Sequence, residues 1–385
     1  MRKKKISVYV DVENLVIDHF SGIGHYTADL LKALDDLLIA ESDTKISLGA
    51  YYKHIGRLGR FGFRNFYYKR FPFSLRTSNG LKQRGLQPPI DLMFGKRLYL
   101  YPNYSSWPML FSKSIPFIYD LSFIFHPEFV AGPNQRFLEE QVGKSVKRAT
   151  KILTISENSK REIIEHYKIS PKNVFICYPG VDTRSFYPRS TNEITRVKAK
   201  YGIFDDNYIM FLSNLEPRKN LKGLLEAYRQ LPEPIKSKYA LLLIGAKGWN
   251  DNEIHEMILD MRIKGDRVIQ PVDYVIDKDR PALYSGASVF AYVSHYEGFG
   301  IPPIEAMACG TPVVSADNSS LPEAVGDAAI MVKADDSNDI AKGIAKVLTN
   351  TELAKELIEK GYEQSEKFTY KKSAKVLLEQ IRSIK

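Results

Sequence analysis

Apolar and polar positions fall into two successive runs of one alternation. Short blocks of β-branched and aromatic residues are separated by longer segments whose apolar residues recur every three to four positions. The first block, ISVYVDV at 6–12, reads as a buried strand. It leads through a loop with Gly22 and Gly24 into a helix over 26–40, where Leu30, Leu31, Leu34, Leu37 and Leu38 share a face. Strands are expected at 45–52, 98–102, 115–119, 151–155 and 173–177. Helices are expected at 133–149 and after Ser156, a good N-cap.

Around 178–192 the period is lost in YPGVDTRSFYPRSTN, which marks the interdomain connection. The alternation then restarts: strands at 208–213, 239–245 and 267–275, with helices at 220–231, 253–263 and 278–285 between and after them. Residues 289–316 read as strand, Gly-rich loop, short helix and strand. Three helical segments, 336–348, 352–366 and 370–384, complete the chain. Strands alternating with helices imply parallel sheets covered on both faces. The fold class is therefore α/β, with two doubly wound Rossmann-like domains over 1–185 and 186–365, and a C-terminal helix over 366–385 that packs back on the first.

Composition narrows the field. A chain of 385 residues is comfortable as two domains, each burying its own core. No apolar run reaches the roughly twenty residues needed to span a bilayer, and Asp11 interrupts the N-terminal apolar segment before it can act as a signal sequence. The two cysteines, Cys177 and Cys309, make no disulfide framework. A cytoplasmic protein is expected.

Charge is distributed unevenly. Residues 1–190 carry 29 Lys and Arg against 17 Asp and Glu, net +12, whereas 191–385 carry 26 against 28, net −2. No acid occurs between Asp43 and Asp91, where arginines and lysines alternate with aromatic rings. Such a segment, 51–84, suits an anionic membrane surface or a polyanion; the plainer reading is a solvated basic loop with some rings in the core.

In open α/β sheets ligands bind beyond the carboxyl ends of strands. Three loops of the second domain fall there: 213–220, 273–279 and 294–302. The first, from Ser213, sets Arg218 and Lys219 before a helix, where two cations suit a diphosphate. An exposed basic turn is the alternative. In the third, Gly298 and Gly300 let the backbone approach a ligand, and a helix beginning near Pro302 offers free amides. Glu297 and Glu305 flank these glycines. Singly they read as a loop acid and a helix-dipole partner; together they suit the vicinal hydroxyls of a sugar or ribose. Asp277 and Asp279 match a metal-binding DxD spelling, but Arg218 and Lys219 already supply positive charge, so no metal is expected.

HYEGFGIPPIEAMACGTPVV resembles the signature of the retaining family-4 glycosyltransferases of the GT-B fold, whose two acids are spaced as Glu297 and Glu305 are. GIGHYT, IYDLSFIFHPEF, TISENSKREI, YPGVDTRSFYP, LSNLEPRKN and SLPEAVGDAA are similar to family landmarks in the same order. The resemblance implies that Arg218 and Lys219 hold the donor diphosphate, Glu305 the ribose and Glu297 the transferred sugar. It places the backbone of Phe299, Gly300 and Ile301 around sugar and phosphate, Ser213 in the donor loop, and Val275 near the base. Gly22 and Gly24 approach the phosphates across the cleft between the domains. Asp120 lies at the acceptor-side floor, and Tyr119 stands where many relatives have His.

The expectation is a retaining, metal-independent hexosyltransferase of surface polysaccharide assembly. Its donor is a nucleotide sugar, GDP-mannose or a UDP-sugar, and its acceptor a saccharide, lipid-linked and met at the inner membrane face. No cofactor and no nucleic-acid partner are expected. The alternatives are a soluble sugar synthase or phosphorylase of the same fold, and a nucleic-acid-binding protein on an inactive transferase fold.

Overall fold

Five short runs of apolar residues build the first sheet: β1 (Ile6–Asp11), β2 (Thr44–Tyr51), β3 (Tyr67–Phe71), β4 (Leu98–Tyr101) and β5 (Lys113–Pro116). The computed structural model describes residues 6–17, 22–39, 43–130, 132–246 and 252–384. The strand order is β3-β2-β1-β4-β5, and every pair is parallel. β6 (Ile152–Thr154) and β7 (Val174–Ile176) pair with each other, and a Phe117–Leu153 bridge joins them to the chain leaving β5.

Central strands covered on both faces need apolar or aromatic residues at successive positions. Val8, Tyr9 and Val10 of β1 are all buried. The Tyr9 ring lies so close over Gly49 of β2 that a Cβ there would fall 1.8 Å from its hydroxyl oxygen. Tyr9 also belongs to an aromatic core with Tyr51, Phe71, Tyr99, Tyr101 and Trp107.

The second sheet repeats the winding with β8 (Tyr208–Leu212), β9 (Ala240–Ile244), β10 (Val268–Ile269), β11 (Val289–Tyr292), β12 (Val313–Ala316) and β13 (Ala329–Val332). Their order is β10-β9-β8-β11-β12-β13, parallel throughout. Leu224, Leu225 and Tyr228 of helix Leu221–Gln230 and Ile340, Ile344 and Val347 of helix Ser337–Thr349 share one core with Ile209, Phe211, Leu241 and Val289. Each set recurs at helical spacing, so one face of each helix covers the sheet.

The chain forms two compact units, Met1–Pro179 with Tyr370–Lys385, and Gly180–Thr369. The last helix, Tyr370–Ser383, packs on helix Gly22–Leu38 of the first unit, and Arg382 pairs with Asp43 at 2.8 Å.

Several boundaries depart from the sequence reading. Gly22 and Gly24 lie in the first turn of a helix that starts four residues earlier than expected, rather than in a loop before it; Ala40, its expected end, lies outside the described residues. The strand expected over 267–275 is reduced to the two residues of β10 at the sheet edge. β3 and the 3-10 turn Ile55–Phe61 lie in the basic aromatic segment 51–84, so its plainer reading as a basic loop does not describe it. Tyr51, Phe63, Phe66 and Phe71 from that segment are buried. Arg57 donates to the Val16 carbonyl at 2.7 Å, and Arg60 to those of Leu15 and Ile17 at 2.8 and 3.0 Å. Among the described residues no helix is long and apolar enough to cross a membrane.

Candidate active site

β8 and β11 are neighbours at the point where the second sheet reverses its winding, so their outgoing loops diverge and leave room for a ligand. The loop after β8 ends in the 3-10 turn Pro217–Lys219, and Asn220 follows in the left-handed region at φ 54°. Asn220 caps helix Leu221–Gln230, its side chain accepting from Gly223 N at 3.2 Å. Its amide also donates to the carbonyls of Val293 at 3.0 Å and Ala334 at 2.7 Å. One buried amide thus ties the ends of β8, β11 and β13 together. The His295 N–H donates to the Arg218 carbonyl at 2.9 Å, a second link between the two loops.

That stitching brings three sequence-predicted residues into contact. Arg218 Nη1 lies 2.8 Å from Glu297 Oε2 and also donates to the Tyr296 carbonyl at 2.8 Å. Lys219 Nζ lies 2.6 Å from Glu297 Oε1, and the Tyr292 hydroxyl donates to the same oxygen at 2.9 Å. Lys219 is 8% and Glu297 6% exposed, which places the cluster in a weakly screening environment. Burial pushes the Glu297 carboxyl up, but Arg218 and then Lys219 outweigh it and hold it down at about 2. Burial and the neighbouring Arg218 push the Lys219 ammonium down, and Glu297 pulls part of the way back. Glu216 Oε2 also lies 3.9 Å from Arg218 Nη2, so the two adjacent cations face two carboxylates.

The main chain at Glu297 is fixed as well. Ser319 Oγ accepts its N–H at 3.0 Å, and Ser320 Oγ donates to the carbonyls of Glu297 at 2.7 Å and Phe299 at 3.0 Å. Gly300 then turns the chain at φ 109° into helix Ile301–Ala308, with Leu321 closing the space a side chain would need. Glu305 on that helix accepts from the Tyr284 hydroxyl at 3.0 Å. Burial raises its pKa, opposed by Arg280. Tyr284 is fixed in turn by Thr311, which donates to its carbonyl at 2.6 Å.

Arg218, Lys219 and Glu297 form one cluster, and Glu305 sits in a second polar group with Tyr284. Ser213 follows β8, its N–H bonded to the Ile244 carbonyl at 3.0 Å. Val275 and Phe299 are buried, the latter with its ring 5.0 Å from that of Phe368. Asp120, Gly22 and Gly24 belong to the first unit. Asp120 accepts from Ser122 N and Oγ at 3.0 and 2.7 Å, just before helix Ser122–Phe125. The Tyr119 hydroxyl donates to the Pro102 carbonyl at 3.2 Å.

Sequence reasoning missed Tyr292, Tyr284 and Arg280. Tyrosines inside a strand or a short helix read as core, and these two are buried; only the register of distant segments aims their hydroxyls at the acids. Among the described residues no group of three or more His, Cys, Asp or Glu side chains is arranged to hold a metal ion.

Known proteins share this architecture. Anabaena Alr3699/HepE, solved in complex with UDP, superposes with a TM-score of 0.72 over 98% of this chain and 100% of its own, at 17% identity. WaaG, a glycosyltransferase involved in lipopolysaccharide biosynthesis, superposes at 0.68 over 98% and 99%, at 15% identity. These likenesses define a GT-B fold. Residues 20–185 match the family described as Glycosyltransferase Family 4, and residues 193–364 match Glycosyl transferases group 1. The Escherichia coli O-antigen chain mannosyltransferase B is 33% identical over 274 residues, 71% of each chain. The E. coli serotype-specific mannosyltransferase WbdA is 29% identical over 69% of this chain but only 33% of its own greater length. The chain belongs to the family-4 glycosyltransferases, retaining hexosyltransferases of the GT-B fold.

Proposed function

We propose that this enzyme transfers mannose from a nucleoside-diphosphate sugar to a saccharide acceptor in the assembly of a cell-surface polysaccharide. The observation that carries the reading is the buried cluster of Arg218, Lys219 and Glu297 where the second sheet reverses. Its two adjacent cations suit a diphosphate, and the Glu297 carboxylate suits sugar hydroxyls. The similarity to O-antigen mannosyltransferases supports mannose and the polysaccharide context.

In this reading Arg218 and Lys219 bind the diphosphate and offset the charge that grows on it as the bond to the sugar anomeric carbon breaks. Glu297 holds those cations in place and turns to hydroxyls of the transferred sugar. Glu305 takes the ribose hydroxyls, and Val275 lies beside the base. Ser213 and the main chain of Phe299, Gly300 and Ile301 surround phosphate and sugar. Gly22 and Gly24 are assigned to the donor phosphates and Asp120 to acceptor hydroxyls, as the family resemblance implies. The acceptor oxygen attacks on the face the phosphate leaves, its proton passing to the departing phosphate oxygen, so configuration is retained. The two cations do the work a metal does elsewhere, and no metal is required.

The acceptor is lipid-linked in this reading, and the enzyme works at the inner face of the membrane. The membrane-facing groups are drawn from the exposed members of the basic segment, among them Tyr52, Lys53, Arg64, Tyr67, Tyr68 and Arg70. Arg57 and Arg60 instead fasten the loop after β1.

Thermal-shift measurement against UDP, GDP, dTDP and ADP, followed by transfer assays with the matching sugar nucleotides, tests the reading. Stabilisation by GDP, lost in Lys219→Ala, is expected. Stabilisation by no nucleotide defeats the proposal.

A further inference from the structure

The segment from β10 to helix Arg280–Ser285 has little sheet to hold it, since β10 pairs with β9 over two residues only. Val272 and Tyr274 are 71% and 67% exposed, whereas Val275 beside them is 4% exposed. A loop open to water on one side keeps a single shape only if its backbone is anchored on the other.

One residue supplies anchors along its whole length. Tyr201, which ends helix Thr191–Lys200, is 1% exposed, and its carbonyl accepts the Val272 N–H at 3.2 Å. Its hydroxyl accepts the Ile276 N–H at 3.2 Å and donates to Asp279 Oδ2 at 2.8 Å. The loop is thus fastened to Tyr201 before Val275, after it, and again at its far end. Gly202 follows at φ 69°, and a Cβ there would lie 3.0 Å from Val272 Cγ1, so the approach is close. Lys200 pairs with Asp279 at 2.5 Å. Burial pushes the Asp279 carboxyl up, but Lys200 and Tyr201 outweigh it and hold it below its ordinary value.

The far end of the loop leads to Glu305. Asp277 pairs with Arg280 at 2.6 Å, and Tyr284, one turn along the same helix, donates to Glu305 at 3.0 Å. The Arg280 charge opposes the effect of burial on Glu305. Both acids of the DxD spelling, Asp277 and Asp279, therefore face cations of the protein itself. Helix Arg280–Ser285 also packs on helix Thr191–Lys200, so loop and helix take their position from one neighbour.

We propose that Tyr201 is a positioning residue for the nucleoside half of the donor. It sets loop 272–279 against the base and, through helix Arg280–Ser285, Glu305 against the ribose. The proposal rests on the transferase reading above. Tyr201 acts through the loop and not on the ligand. Its phenol accepts from Ile276 and donates to Asp279 at once, which a phenylalanine ring of the same shape cannot do. The diphosphate is assigned to Arg218 and Lys219, on the separate loop after β8. Loosening loop 272–279 therefore weakens the hold on the nucleoside and leaves the hold on the diphosphate intact.

The test compares full-length wild type with Tyr201→Phe by calorimetry against UDP, GDP, dTDP, ADP and inorganic pyrophosphate, and by initial rates with the sugar nucleotide that matches the preferred base. Tyr201→Phe is expected to weaken that nucleotide about fivefold or more, with pyrophosphate affinity kept within about twofold, and to raise KM with kcat retained. Asp279→Ala removes the acceptor of the same hydroxyl and is expected to shift the same readouts in the same direction, so the proposal stays open to refutation if Tyr201→Phe does not fold. Equal weakening of nucleotide and pyrophosphate, a fall in kcat without a rise in KM, or variants that bind as wild type does overturn the proposal while the donor reading stands. A wild type that binds none of the four nucleotides overturns the donor reading and this proposal with it.

Discussion

Lys219 Nζ and Glu297 Oε1 lie 2.6 Å apart with Tyr292 donating to the same carboxylate oxygen, and the pair is nearly sealed from water. Breaking a buried pair from one side costs about 3–5 kcal/mol, whereas replacing both partners by neutral groups of similar shape is often near neutral. Lys219→Ala is therefore expected to lose about 3 kcal/mol, somewhat softened by Arg218. The double variant Lys219→Met, Glu297→Gln recovers most of that loss. Both are expected to fall about a hundredfold or more in transfer rate. Urea unfolding and initial rates separate the effects; a double variant that regains activity contradicts the proposed roles.

Acid should unfold the second unit through the same carboxylate. Glu297 is held at about 2 in the folded protein against an ordinary 4.5, so as pH falls the unfolded chain takes up the proton first. The contribution of this group is complete above about pH 4.5 and is lost between there and pH 2. Unfolding free energies measured across that window should slope more steeply for wild type than for Glu297→Gln. Parallel slopes count against the ion-pair assignment.

Gly300 has φ 109°, with Leu321 Cδ2 only 2.7 Å from where a Cβ would sit. Gly300→Ala is expected to lose about 1–3 kcal/mol of stability. It should also raise KM for the sugar nucleotide, because the amides of helix Ile301–Ala308 would be displaced. Unchanged KM and melting temperature refute this.

Asp91 supplies a contrast outside the site. It is buried and accepts the N–H groups of Leu110, Phe111 and Ser112 at 2.9–3.1 Å. Asp91→Ala strands those donors and is expected to cost about 2–3 kcal/mol, lowering the melting temperature while the affinity for nucleotide in the folded protein stays put.

Exposed cations of the first unit should govern membrane contact. Each basic side chain near an anionic surface contributes about 1 kcal/mol, so replacing Lys53, Arg64 and Arg70 by Ser is expected to reduce sedimentation with phosphatidylserine vesicles more than tenfold. Retained sedimentation removes the membrane from the proposal. Arg57 and Arg60 are left intact, because their bonds to Leu15, Val16 and Ile17 would confound the result.

What could be read from the sequence follows from where each signal resides. β1, β8, β9 and β11 are central strands, buried on both faces, and their apolar runs stand out. β3 is an edge strand whose YYKRF is mostly exposed, so its residues carry charge and no clean alternation. β10 is reduced to two residues at the same kind of position, the edge of the second sheet. Glu297, Glu305, Arg218 and Lys219 were legible because each lies in a local motif. Tyr292, Tyr284 and Tyr201 were not, because their roles depend on the register of segments far apart in the chain. Asp279 was visible, but nothing local showed that Tyr201 would face it.

The hydrogen bond from Val181 N to the Phe368 carbonyl, 3.1 Å long, closes the second unit at the two points where the chain enters and leaves it. Residues 180–369 are thus topologically an insertion whose ends meet, hosted by a protein that begins again at Tyr370. A gene fragment spanning only that insertion encodes a compact unit with adjacent termini, a natural starting point for excision, circular permutation or transplantation. The host, by contrast, is not obtained by stopping at Thr369, since helix Tyr370–Ser383, which packs on helix Gly22–Leu38, follows the insertion.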